Sequence, residues 1–98
     1  MSELCRERGF PGLRFAVRCS DIKQKIGESQ TTQYGGEVPS FELTAENGQR
    51  FDVCSPKFTK YAKGVSGPCV FVSSAIGLVW LVEPSRFDRD YEIVDLPA

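Results

Sequence analysis

Two stretches restrict this chain more than anything else in it: "SFELTAENGQRFDVC" at 40–54 and "CVFVSSAIGLVWLV" at 69–82. Each places strand-forming residues on both sides of a turn that ends in glycine, Gly48 or Gly77, which is the signature of a β-hairpin. The length of each turn decides which side chains meet. A two-residue Asn47-Gly48 loop would set Thr44 opposite Phe51 and Leu43 opposite Asp52. Directly opposed residues share a face, so Phe41 and Leu43 would then lie on the side away from Phe51 and Val53. A three-residue loop, Glu46-Asn47-Gly48, sets Leu43 opposite Phe51 and Phe41 opposite Val53, and gathers Glu42, Thr44, Arg50 and Asp52 on the other face. It also puts Gly48 where a type I turn with a G1 bulge requires positive φ. The three-residue turn is the expectation.

The second hairpin yields to the same argument. A two-residue Ile76-Gly77 loop would force positive φ on a β-branched residue. An Ala75-Ile76-Gly77 loop instead sets Val72 opposite Trp80, Phe71 opposite Leu81 and Val70 opposite Val82. Both faces of this ribbon are apolar, so it is expected to be covered on two sides, at the centre of the sheet.

Around these hairpins the pattern is less uniform. In "LRFAVRC", 13–19, Leu13, Phe15, Val17 and Cys19 alternate with Arg14, Ala16 and Arg18, so the first set is expected inward and the second outward. The segment 20–27, "SDIKQKIG", suits either a continued strand or a short helix, and the four-residue spacing of Ile22 and Ile26 behind Ser20 favours the helix. The polar segment 27–40 reads as a long loop, either a surface excursion or a recognition loop with Tyr34 as an amphipathic anchor. At 55–64, Ser55, Pro56 and Gly64 stand at the cap, first-turn and terminating positions of a short helix, with Phe58, Tyr61 and Ala62 expected to face the body. Residues 83–90 read as a turn and 91–96 as a closing strand. The expected architecture is mainly β, with α+β as the alternative: one domain over 1–98, a small antiparallel barrel or roll of about five strands, SH3-like in general shape, with one or two short helices.

The charge balance narrows function. Net charge is −1 and the isoelectric point about 5.4, which argues against a dedicated nucleic-acid binder. Charge is distributed in blocks: net +2 over 1–30, −3 over 31–55, +3 over 56–66 and −3 over 83–95. The chain has no histidine, the commonest general base, and no glycine-rich phosphate loop, so no enzyme class is indicated and the expectation is a non-enzyme. The acidic run Asp88, Asp90, Glu92 and Asp95 lacks the glycine and terminal glutamate of an EF-hand loop and is interleaved with Arg86 and Arg89. It reads as a solvated edge that discourages sheet addition.

Cys5, Cys19, Cys54 and Cys69 are separated by 13, 34 and 14 residues, far from the close pairs of a zinc site. Buried free thiols are expected, with no metal and no cofactor. The absence of an apolar leader at the N-terminus points to a cytoplasmic protein with no membrane partner. The leading functional expectation is a protein–protein interaction module, an inhibitor or adaptor of the kind that phages and mobile elements encode, binding another protein through Tyr34, Asp88 and Asp90. The alternative is a small nucleic-acid-binding barrel that uses Lys57, Lys60, Tyr61 and Lys63, aromatic and basic groups of the type that hold single strands.

Overall fold

The computed structural model describes residues 2–31 and 37–94. Its organising element is the strand β2, Leu13–Thr31, which follows β1, Glu3–Glu7. The other strands are β3 (Glu37–Ala45), β4 (Arg50–Val53), β5 (Cys69–Ser74), β6 (Val79–Val82) and β7 (Tyr91–Ile93), with the helices α1 (Pro56–Ala62) and α2 (Pro84–Asp90) between them. Among the described residues all pairings are antiparallel and the seven strands belong to one sheet. The mainly β class and the two short helices agree with expectation. The sheet does not close on itself, so its likeness to a barrel or roll is a loose one.

One edge of β2 is taken by β5, from Arg14 opposite Ser74 to Cys19 opposite Cys69. The other edge is shared end to end: β1 occupies it over Leu13 to Ala16, and β3 from Cys19 onward. A straight strand of this length would span about 60 Å at about 3.3 Å per residue, whereas the molecule's longest extent is 44 Å. β2 therefore bends. It does so where its register with β3 shifts, between Cys19 and Asp21 and again between Lys25 and Ser29. At the first shift Ser20 is the extra residue, since Cys19 pairs with Ala45 and Asp21 with Thr44. The bulge reverses the alternation, which is why Cys19 and Ile22, three residues apart, are both buried on the same side.

The segment 20–27 is thus strand, not the helix favoured by its isoleucine spacing. Ile22 is held opposite Leu43, and the bulge is fastened by Asp21, whose carboxylate accepts the backbone N–H groups of Ile22 (2.8 Å) and Gly67 (3.0 Å). The segment 27–40, expected as a loop, consists over its described part of the end of β2 and the start of β3, paired from Ser29 opposite Pro39 to Thr31 opposite Glu37. Tyr34 lies outside the described residues.

Both hairpins have the expected register. Leu43 faces Phe51 and Phe41 faces Val53, the Ala45 N–H donates to the Gln49 carbonyl at 2.8 Å, and Gly48 has φ of +90°. Val72 faces Trp80 and Val70 faces Val82, and Gly77 has φ of +87°. β5 is internal and apolar on both faces, but among the described residues β6 pairs only with β5, so the second hairpin is half central and half edge. The expected turn at 83–90 is instead the helix Pro84–Asp90, with Glu83 at its N-cap position: Pro84 occupies the first turn of α2, and Phe87 is its one buried residue.

Two clusters follow from the two faces. On one, Cys5, Ala16, Val70, Val72, Val82 and Tyr91 pack under Phe87 of α2. On the other, Cys19, Ile22, Phe41, Leu43 and Cys69 pack with Phe58 and Ala62 of α1. Phe58 makes edge contacts with Phe41 at 5.8 Å and Phe71 at 5.7 Å between ring centroids. Phe71 also meets Phe51 at 5.4 Å, although β3 and β2 separate their strands, so the sheet curls around the α1 face.

Candidate functional site

α1 covers only part of the face it packs on. Its buried residues, Phe58 and Ala62, lie at the Cys19 and Cys69 end of β2 and β5. Towards the start of β2 no helix follows. Phe15 is 43% exposed and Leu13 42%, although both alternate in phase with the buried Cys19. This corrects the inward placement expected for them, while Ala16, expected outward, is buried beneath α2. The open area is continuous in register: Leu4 faces Phe15, Phe15 faces Ser73, Ser73 faces Val79, and Val17 faces Phe71. Where the start of β1 approaches the β3–β4 turn, this surface dips into a hollow of about 300 Å³ lined by Ser2, Val17, Ala45, Gln49, Phe51 and Phe71. No charged side chain is among these lining residues. An apolar depression beside exposed aromatic and aliphatic side chains can seat an apolar anchor from a partner and gives little to hold an anion or a metal.

The expected binding residues lie elsewhere. Asp88 and Asp90 are on α2, over the opposite face. Asp88 accepts from Arg18 Nη2 at 3.2 Å, and the same guanidinium lies over the Phe87 ring at 5.0 Å. Asp90 pairs with Arg89 at 3.0 Å and Arg86 at 3.4 Å, and the bond from Arg89 holds its carboxyl below the usual carboxylate range. These acids form a lattice of ion pairs with the arginines interleaved among them.

Lys57, Lys60 and Lys63 are all exposed on or just after α1. Tyr61, expected to face the body, is 51% exposed. It forms one wall of a groove of about 310 Å³ with Val65, Pro68, Cys69, Leu81 and Arg86. The helix has Pro56 in its first turn as expected, but Ser55 makes no side-chain cap bond, and its carbonyl accepts from both the backbone N–H and the hydroxyl of Thr59. Among the described residues no helix is long and apolar enough to cross a membrane, and no three potential metal ligands come together.

The open hollow escapes sequence reading because its residues look like core. The alternation at 13–19 marks the correct face, but only the landing site of α1 decides how much of that face is covered. No protein-family model, curated protein or solved structure matches the chain.

Proposed function

We propose that this protein is a non-enzymatic protein–protein interaction module, acting as an inhibitor or adaptor, that receives an apolar anchor of its partner on the open half of the α1 face. The observation that carries this reading is the exposure of Phe15 and Leu13 beside the uncharged hollow formed by Val17, Phe51 and Phe71. A contiguous apolar surface left open on a folded domain costs solubility and is kept chiefly where a partner covers it. The ion-paired acids Asp88 and Asp90 would then tune orientation and encounter, as rim charges do.

A second reading rests on a separate observation. Lys57, Lys60 and Lys63 are exposed around the half-exposed Tyr61 ring, an arrangement suited to a single nucleic-acid strand, with the base stacked and the phosphates paired.

Capture from a lysate with immobilised protein, with and without nuclease, tests both. The first reading expects a retained protein that nuclease does not release and that the Phe15→Ser variant fails to capture. Retention that nuclease abolishes, undiminished by Phe15→Ser, replaces the first reading with the second.

A further inference from the structure

Cys19 and Cys69 are directly opposed on β2 and β5, on the same face and within the same cluster. Opposed residues of an antiparallel pair have Cα atoms about 4.5–5.5 Å apart, inside the range of about 4.4–6.8 Å in which disulfides form. The other two thiols are placed differently. Cys5 lies in the cluster on the far side of the sheet. Cys54 is partly exposed and donates to the Val38 carbonyl at 3.3 Å. Both residues are only 2% exposed, and Cys69 lines the groove under Tyr61, so a small molecule in the groove approaches the pair from its Cys69 side.

We propose that Cys19 and Cys69 form a peroxide-reactive dithiol that closes to a cross-strand disulfide in the folded protein. The oxidant is a hydroperoxide, small enough to enter by the groove. The Cys19 thiolate attacks one peroxide oxygen, the O–O bond breaks, and hydrogen peroxide leaves hydroxide while Cys19 becomes a sulfenic acid. The Cys69 sulfur then attacks the Cys19 sulfur and expels the sulfenic oxygen. That oxygen leaves as water, taking up the Cys69 proton. Two thiols are oxidised and one peroxide is reduced, with two waters formed in total. The local chemistry assigns the two roles. The two side chains interact directly, which draws the Cys19 thiol below its ordinary value and pushes the Cys69 thiol above its own, while the Cys19 Sγ also lies 3.5 Å from the Val17 carbonyl. Low thiolate pKa beside a resolving thiol is the arrangement that favours this sequence.

The test treats the full chain with hydrogen peroxide under native conditions, blocks residual thiols after denaturation and digests without reductant. The expected product is a linked pair of peptides containing Cys19 and Cys69, at an intact mass lower by two hydrogens, and dithiothreitol restores the original mass. In Cys69→Ser the link is lost and dimedone traps the Cys19 sulfenic acid. The wild-type digest decides the matter even where that variant folds poorly. Peroxide that oxidises Cys54 alone, or links any other pair while Cys19 and Cys69 stay reduced, overturns the proposal. So does an equal yield of the Cys19–Cys69 link from urea-denatured protein, since the fold would then contribute nothing.

Discussion

The indole N–H of Trp80 donates to the phenolic oxygen of Tyr91 at 3.0 Å, joining the edge strand β6 to the last strand, β7, across the α2 face. Among the described residues β6 reaches the sheet only through β5, and β7 only through β1. The bond therefore links two strands that share no ladder. Arg14 lies over the indole at 5.7 Å, and Tyr91 stacks on Phe87 at 5.0 Å. Tyr91→Phe removes the acceptor and keeps the stack. It is expected to cost about 1 kcal/mol, because the half-buried indole N–H retains some access to water. Trp80→Ala is expected to cost about 3 kcal/mol, towards the low end for a large aromatic, because the ring is only partly buried. Urea unfolding of both variants measures this ranking, and equal losses would show that the ring contact with the cluster is dispensable.

The same tyrosine makes stability depend on alkaline pH. Burial pushes the Tyr91 phenol above its ordinary value, and the bond from Trp80 only partly offsets this. Cys5 is raised in the same way, by burial. Each group keeps its proton to higher pH in the folded chain than in the unfolded one. Tyr91's contribution is therefore complete below the unfolded value of about pH 10 and is lost as pH rises towards the folded value. Unfolding midpoints followed from about pH 8 to about pH 11 should fall in the wild type and fall less in Tyr91→Phe. A variant as steep as the wild type would assign the loss to the thiols.

How much of this was legible depended on how local each interaction is. The hairpin registers were readable because turn length, glycine φ and the faces of Leu43 and Phe51 all lie within a few residues of one another. The strand β1 carries no local signature, since only Leu4 and Cys5 are apolar in Glu3–Glu7, and its stability comes from β2 and from β7 at the far end of the chain, where Arg6 faces Glu92. The segment 20–31 misled because the Ser20 bulge and the register shift after Lys25 erase a period-two pattern that an uninterrupted strand would have kept. The span of α2 resembles a turn in sequence because a seven-residue helix with a single buried side chain, Phe87, has too little periodicity to register. The candidate site suffered most. Which half of an apolar face stays open is set by where α1 lands after β4, a relationship no local pattern encodes.

Gly48 offers a clean test of turn chemistry. Its φ is +90°, and a Cβ placed on it would meet nothing within 4 Å, so any cost of substitution is conformational. Gly48→Val is expected to lose about 1–2 kcal/mol through left-handed strain, with Gly48→Asn losing less because asparagine tolerates that region. A thermal melt on each variant distinguishes these outcomes. Equal tolerance of valine would mean that the turn rearranges.

Phe58 and Phe15 lie on the same face of the sheet and should respond in opposite ways. Phe58 is fully buried between Phe41 and Phe71 and fastens α1 to the sheet, so Phe58→Ala is expected to cost about 3–5 kcal/mol. Phe15 is 43% exposed, so Phe15→Ser should leave the melting temperature much closer to that of the wild type. Should Phe15→Ser unfold the protein as readily as Phe58→Ala, the open half of the face would be core in solution and unavailable to a partner.

The last prediction separates the two functional readings by salt. For an apolar anchor in the hollow, Phe15→Ser removes part of the contact, and affinity should fall at low and high salt alike, because apolar burial is little screened. Charge reversal at Asp88 removes one of the two carboxylates beside Arg18, the other being Glu3, and should act mainly on association rate and its salt dependence, as rim charges do. Replacing Lys57, Lys60 and Lys63 together should change affinity little. For a nucleic-acid strand along α1 the order inverts. The lysine variant should lose affinity and flatten the dependence of log affinity on log salt by up to about three phosphate contacts, while Phe15→Ser, on a different part of the sheet, should bind like the wild type. The measurement is titration of the captured partner at two salt concentrations with all three variants. Loss confined to the lysine variant, together with a flattened salt slope, rejects the apolar-anchor reading, and a salt-independent loss confined to Phe15→Ser rejects the nucleic-acid one.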